Sequence, residues 1–269
     1  MKRNEVVEAT VRALKRAETF LPSWVSKLIE QAAERETNSV ARSHLLFMLE
    51  NVHIAQRKGL PICQDTGLPI FYIELGQDVK LEFDLKAAVA DGVRKATRDV
   101  PLRPNVVDPL TRENTNDNTG RCVPDIILSN DFGDELRITA FPKGAGSENM
   151  SLVEMLNPAD DPIKFILNIV AERANNSCPP LFLGIGIGGS FDLAARMSKR
   201  ALLNMPGTSD LELRLLERIN SLGIGPMGLG GDTTVLGVKI EKASCHTASL
   251  PVAINFQCWA NRSATEVLK

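Results

Sequence analysis

The sequence predicts an α+β fold, and three observations carry that prediction. The front of the chain, over residues 1–58, is patterned as short helices. Mixed strands and helices follow over residues 59–269. No internal repeat organises them into regular strand–helix–strand units, which separates the chain from doubly wound α/β folds. The 269 residues are expected to form a single domain, 1–269, with a helical N-terminal region and an α+β remainder.

In the helical region, Val6, Val7, Ala9, Val11 and Leu14 recur at helical spacing, as do Val25, Leu28, Ile29 and Ala32, and then Val40, Leu45, Leu46, Met48 and Leu49. Pro22 separates the first two helices, Ser23 is a candidate cap for the second, and Asn38 or Ser39 for the third. A strand is expected over 69–75 and an amphipathic helix over 84–98, opened by Asp84. Residues 101–120 are polar and turn-rich, the kind of long irregular segment that is usually functional or mobile. Strands are expected over 125–128 and 136–141, a helix over 161–176, a strand over 181–187 and a helix over 192–204. A helix over 210–222 and strands over 233–240 and 249–256 complete the elements.

Composition narrows the function. Lys and Arg number 31 against 33 Asp and Glu, a formal net charge of −2, so no basic excess points to nucleic acid. No apolar run is long enough to span a bilayer, and the N-terminus lacks the apolar core of a secretion signal. A cytoplasmic location is expected. There, five scattered cysteines are better explained by metal ligation or catalysis than by disulfides.

The stretch Leu60-Pro61-Ile62-Cys63-Gln64-Asp65-Thr66-Gly67 concentrates the chemistry. Its proline and glycine imply a tight loop that offers a thiolate and an acid in one place. Arg103 stands between Leu102 and Pro104, two residues after Pro101, where a stiff backbone would present a guanidinium for paired hydrogen bonds to a carboxylate. Pro142-Lys143-Gly144-Ala145-Gly146-Ser147-Glu148-Asn149 could turn backbone N–H groups toward an anion, though it lacks the Walker spacing. Gly184-Ile185-Gly186-Ile187-Gly188-Gly189 fits the dinucleotide fingerprint poorly. Cys63, Cys178 and Cys258 stand at rigid points: a loop, a Pro-Pro pair and a strand end. Cys122 and Cys245 have plainer surroundings. Three distant thiolates could gather on one iron–sulfur cluster and leave an iron open as a Lewis acid, yet thiols are also common core residues.

Cys63-Gln64-Asp65-Thr66-Gly67, the Pro142–Asn149 segment, Cys178-Pro179-Pro180 and the closing Ser249–Ala253 and Gln257–Ala260 stretches together resemble the class I fumarase family, the iron–sulfur hydro-lyases. The match runs in order over nearly the whole chain. The resemblance implies that Cys63, Cys178 and Cys258 hold a [4Fe–4S] cluster, and that Gln64, Asp65, Arg103 and Gly146 contact substrate. Asp65 would be the acid that protonates a departing hydroxyl. In fused members a second domain follows, carrying further arginines, a lysine and the threonine thought to serve as base. The chain is therefore expected to be an α subunit completed by a separate β subunit, as an α2β2 hetero-oligomer, with no nucleic acid and no membrane among its partners. The implied reaction is reversible hydration of a small dicarboxylate, fumarate to (S)-malate, with L-tartrate dehydration as the alternative. Rivals of another class are a non-catalytic zinc-binding or scaffold subunit and an electron carrier.

Overall fold

The computed structural model describes all residues, 1–269. Helices and two mixed four-stranded sheets make an α+β architecture, as the sequence pattern predicts. The chain order begins with α1 (Arg3–Thr19), α2 (Ser23–Arg35) and α3 (Ser39–Lys58), then β1 (Ile70–Gly76), α4 (Leu85–Asp99), β2 (Asp125–Asp131) and β3 (Leu136–Ala140). It continues with α5 (Ala145–Glu148), β4 (Leu152–Leu156), α6 (Pro162–Arg173), β5 (Leu181–Ile187), α7 (Phe191–Ala201) and α8 (Asp210–Asn220). The last elements are β6 (Val235–Lys242), β7 (Leu250–Gln257) and β8 (Ala264–Leu268). No helix is long and apolar enough to cross a membrane.

Side-chain caps open α3, α4 and α6 as the sequence suggests, whereas Ser23, the candidate cap of α2, is that helix's own first residue. The Asn38 side chain accepts from the N–H groups of Val40 and Ala41 at 2.9 and 3.2 Å, so Asn38 rather than Ser39 caps α3. Asp84 accepts from Ala87 N–H at α4, and Asp161 from Ile163 and Lys164 N–H at α6, where Pro162 occupies the first turn.

The chain divides into two compact units. The first comprises Met1–Pro22, Asn51–Ala145 and Arg262–Lys269. Its sheet has the order β2-β1-β3-β8, with β1 parallel to β2 and antiparallel to β3. Successive residues of a strand point to opposite faces. Phe71 and Ile73 of β1 and Leu136, Ile138 and Ala140 of β3 therefore share the face that packs with Val6, Ala13 and Leu14 of α1 and Val89, Val93 and Ala96 of α4. Glu74 and Arg137, out of step with those residues, are exposed. That opposite face is wet at this end of the ladder and covered again at Ile70, which is buried.

The second unit comprises Ser23–Glu50 and Gly146–Asn261. Its sheet, in the order β4-β7-β5-β6, is covered on both faces at β5. Leu181, Leu183 and Ile185 pack with Ile166 and Val170 of α6 and Leu215 and Ile219 of α8. The alternate positions, Gly184 and Gly186, face α7. A Cβ on either would lie 2.0–2.1 Å from the carbonyl oxygens of Ser198 and Ala194. The glycines of the Gly-Ile-Gly-Ile run are thus what lets α7 lie directly on the β5 backbone, a packing role.

Candidate active site

The acid loop is built where the β1–β3 ladder runs out. Leu68 and Lys143 exchange two backbone hydrogen bonds of 2.9 and 3.0 Å, extending the antiparallel pairing beyond Ile70 and Phe141. Gly67 sits at φ +73°, and a Cβ there would lie 2.8 Å from the Lys143 backbone. Only glycine combines that conformation with that approach. The result is to set the loop before β1 against the segment after β3.

Asp65 is fixed there through its side chain. Its Oδ1 accepts from Gly67 N–H at 2.9 Å and its Oδ2 from Ala145 N–H at 2.8 Å. A Cβ on Gly144 would come within 3.2 Å of that Oδ2. The small-residue segment after Pro142 does turn an N–H toward an anion, as the sequence suggests. The anion at Ala145 is the protein's own Asp65 carboxylate. Each carboxylate oxygen keeps a further lone pair beyond the one its N–H donor takes.

Two more residues hold the same loop by its main chain. Arg262 Nη2 donates to the Asp65 carbonyl at 2.6 Å, and Ile62 N–H donates to the Glu18 carbonyl at 2.8 Å. Cys63 and Gln64, between these anchors, are exposed. Arg103 is exposed, while its own carbonyl accepts from Thr66 Oγ1 at 3.2 Å and Asn118 Nδ2 at 3.1 Å. Asn118 is buried at φ +59° and also accepts from Asn105 N–H at 2.7 Å. The turn-rich segment is therefore braced by side-chain-to-backbone bonds, and Thr66 couples the Arg103 main chain to the acid loop.

The second unit holds Gly146, Cys178 and Cys258. A Cβ on Gly146 would meet nothing within 4 Å, so the space beside its backbone is open. Phe182 of β5 lies opposite Gln257 of β7 in antiparallel register. Cys178, four residues before Phe182, and Cys258, one after Gln257, consequently leave the sheet at the same end of neighbouring strands. Cys178 follows a short 3-10 helix (Ala174–Ser177) in the left-handed region, φ +55°, ahead of Pro179. None of the five cysteines is in a disulfide, and none is buried. Cysteines that serve only as small core hydrophobes would be buried. Thiols held at the surface on fixed backbone fit a soft, sulfur-ligated metal group. Neither unit by itself gathers three or more His, Cys, Asp or Glu side chains into a metal-holding group.

Sequence reasoning missed Glu18, Thr66, Asn118 and Arg262. Glu18 did leave a signal: it lies four residues after Leu14, on the apolar stripe of α1. Arg262 left none, because its partners are distant in sequence.

The model of the fumarate hydratase (fumerase) family matches residues 7–267. The chain belongs to the fumarate hydratase family. Family membership makes it a hydro-lyase-type chain, the class that adds water across a carbon–carbon double bond or forms one by eliminating water. The chain is 46% identical to a Methanocaldococcus jannaschii protein named "Putative L(+)-tartrate dehydratase subunit alpha", over 98% of both chains. It is 34% identical to the Escherichia coli K12 L(+)-tartrate dehydratase subunit alpha, over 97% of this chain and 90% of that one. The Shigella sonnei protein of the same name matches equally, at 34%.

Proposed function

We propose that this chain is the α subunit of a two-subunit hydro-lyase that interconverts fumarate and (S)-malate. The observation that carries the reading is the Asp65 carboxylate, oriented by two N–H donors on a loop shared with Cys63 and coupled through Thr66 to the Arg103 main chain. The family model and the likeness of Lys143–Asn149 to fumarases support fumarate. The names of the relatives, all subunits alpha, support a β partner that completes the site. They also favour a second reading, L(+)-tartrate as the substrate.

Cys63, Cys178 and Cys258 would hold a [4Fe–4S] cluster, which when bound supplies Lewis acidity toward a substrate hydroxyl and carboxylate. The other steps belong to the chain. Arg103 grips a substrate carboxylate through its planar fork. Gln64 offers an amide to the same ligand, and the open space at Gly146 lets the substrate approach the backbone. Asp65 delivers a proton to the departing hydroxyl from a carboxylate oxygen, and takes one from water in the reverse direction. The β subunit removes the carbon-bound proton.

The deciding experiment reconstitutes the chain with its β partner under anaerobic conditions and compares kcat/KM on fumarate, (S)-malate and L-tartrate. A preference for the fumarate–malate pair is expected. Turnover of tartrate alone would establish the second reading, and turnover of none of the three would reject both.

A further inference from the structure

Glu18 and Arg262 are both buried, at 0% and 3% exposure, and belong to the same compact unit as Asp65. Glu18 is the penultimate residue of α1. Its Oε2 lies 3.3 Å from Arg262 Nη1, without hydrogen-bond alignment, and neither carboxylate oxygen has a hydrogen-bond partner. A small cavity of about 10 Å³ borders it, lined by apolar side chains such as Leu14, Val93 and Leu102 and also by Thr66 and Asn118, with room for no more than one water. Arg262 spends its other terminal nitrogen on the Asp65 carbonyl. Glu18 spends its own carbonyl on Ile62 N–H. The loop 62–65 is thus gripped at both ends by one carboxylate–guanidinium pair and its backbone.

Such a pair is a poor source of stability. Apolar residues of the same volume generally hold a fold as well or better, since desolvation offsets the attraction. What an arginine fork offers instead is a defined direction. Here that direction points at the main chain of the residue assigned as the acid.

We propose that Glu18 and Arg262 are positioning residues for the reaction. Glu18 holds the guanidinium, the guanidinium holds the Asp65 main chain, and the Asp65 carboxylate is thereby kept at its working place. The proposal rests on Asp65 being the acid. A misplacement of about 1 Å in a reacting group can cost on the order of a hundredfold in rate, so the effect is expected in kcat.

The test, run at pH ~8 where the Glu18 carboxyl is ionised, uses the reconstituted complex carrying Glu18→Gln, which keeps shape and removes charge, with Arg262→Lys as the second variant should the first not fold. Expected are a kcat lowered on the order of tenfold to a hundredfold, a KM within about twofold, cluster absorbance unchanged, and no further loss in the double variant. Amide hydrogen exchange of the peptide 60–67 should accelerate while α4 stays protected. Wild-type kcat, or additive losses in the double variant, overturns the proposal, as does unaltered exchange at 60–67. Asp65→Asn is measured alongside. If it stays active while exchange in the Glu18 variant accelerates, the acid assignment fails, and the catalytic role proposed for the pair falls with it. The exchange result would then show only that the pair anchors the loop.

Discussion

Asp65 takes one backbone N–H on each carboxylate oxygen, and that symmetry sets what its substitution should do. Asn keeps the shape but presents an amide NH2 to one of the two donors, Gly67 or Ala145, leaving that N–H without an acceptor. The local cost is about 1–3 kcal/mol, short of unfolding. Loss of the proton donor should lower turnover at least about a hundredfold, the low end for general acid–base catalysis, with cluster absorbance intact. An Asn variant that turns over near the wild-type rate removes Asp65 from the mechanism. Glu18 yields a second prediction at this scale. Burial raises its carboxyl to about 7; the nearby Arg262 charge opposes the shift and the Asp65 charge adds to it. A carboxyl whose folded value lies above its unfolded 4.5 favours folding below the unfolded value and loses that advantage as pH rises through the folded one. Wild type should therefore lose about 3 kcal/mol relative to Glu18→Gln between pH ~4.5 and ~8, at ~1.4 kcal/mol per pH unit. Denaturant unfolding across that window checks it, and parallel curves for the two proteins would contradict it. The loop's chemistry was legible in the sequence because a thiol, an acid and a glycine fall within five residues, Cys63–Gly67. Its supports were not. Arg262 and Asp65 meet only after folding, and Asn118 looked like one more polar residue in a turn-rich stretch.

Among the elements, α8 shows how a cap can also fasten a helix to its sheet. Ser209 and Glu212 form a reciprocal capping box, and Glu212 Oε1 accepts from Ile240 N–H of β6 at 2.8 Å. Burial pushes the Glu212 carboxyl up, but the Ile240 N–H, the Ser209 hydroxyl and N–H, and the Lys239 charge together bring it down to about 2. The sign is opposite to that of Glu18. This carboxyl stabilises the fold above its unfolded value of 4.5 and stops doing so as pH falls toward 2. The contribution is about 3 kcal/mol at neutral pH. Glu212→Gln should be less stable than wild type by about that amount at pH ~7, with the gap falling below about 1 kcal/mol as pH approaches ~2. A gap that does not close in acid would mean the lost contacts, not the charge, made the difference. Long helices were readable because burial repeats along them, and β1, β5, β6 and β7 because each carries a run of buried apolar residues. β4 and β8 were missed. Both are five-residue edge strands with little burial, so neither carries the buried apolar run that marks the others. The four-residue helix α5 is too short to show a period at all.

On the scale of the whole molecule, five cysteines share one chain, and the question is which of them a cluster needs. Exposure does not sort them: Cys63, Cys122, Cys178 and Cys245 are exposed and Cys258 is partly so. Backbone context does better. Cys63 lies between the Ile62 and Asp65 anchors, while Cys178 and Cys258 stand at one end of the paired strands β5 and β7. Cys245 lies in the connection between β6 and β7, and Cys122 in the turn before β2. Substituting Ala for Cys63, Cys178 or Cys258 should each abolish the visible absorbance of the anaerobically loaded protein, because a [4Fe–4S] cluster is not retained once one of its thiolates is lost. Cys122→Ala and Cys245→Ala should retain it. The rival classes separate in the same preparations. A zinc-binding scaffold would yield zinc without iron or sulfide on analysis. An electron carrier would show iron and sulfide but keep its redox activity in Asp65→Asn and in an Arg103 variant. Loss of absorbance in Cys245→Ala to the same degree as in Cys258→Ala would reassign the third sulfur to the β6–β7 connection. Retention in all five single variants would end the case for a thiolate-held cluster.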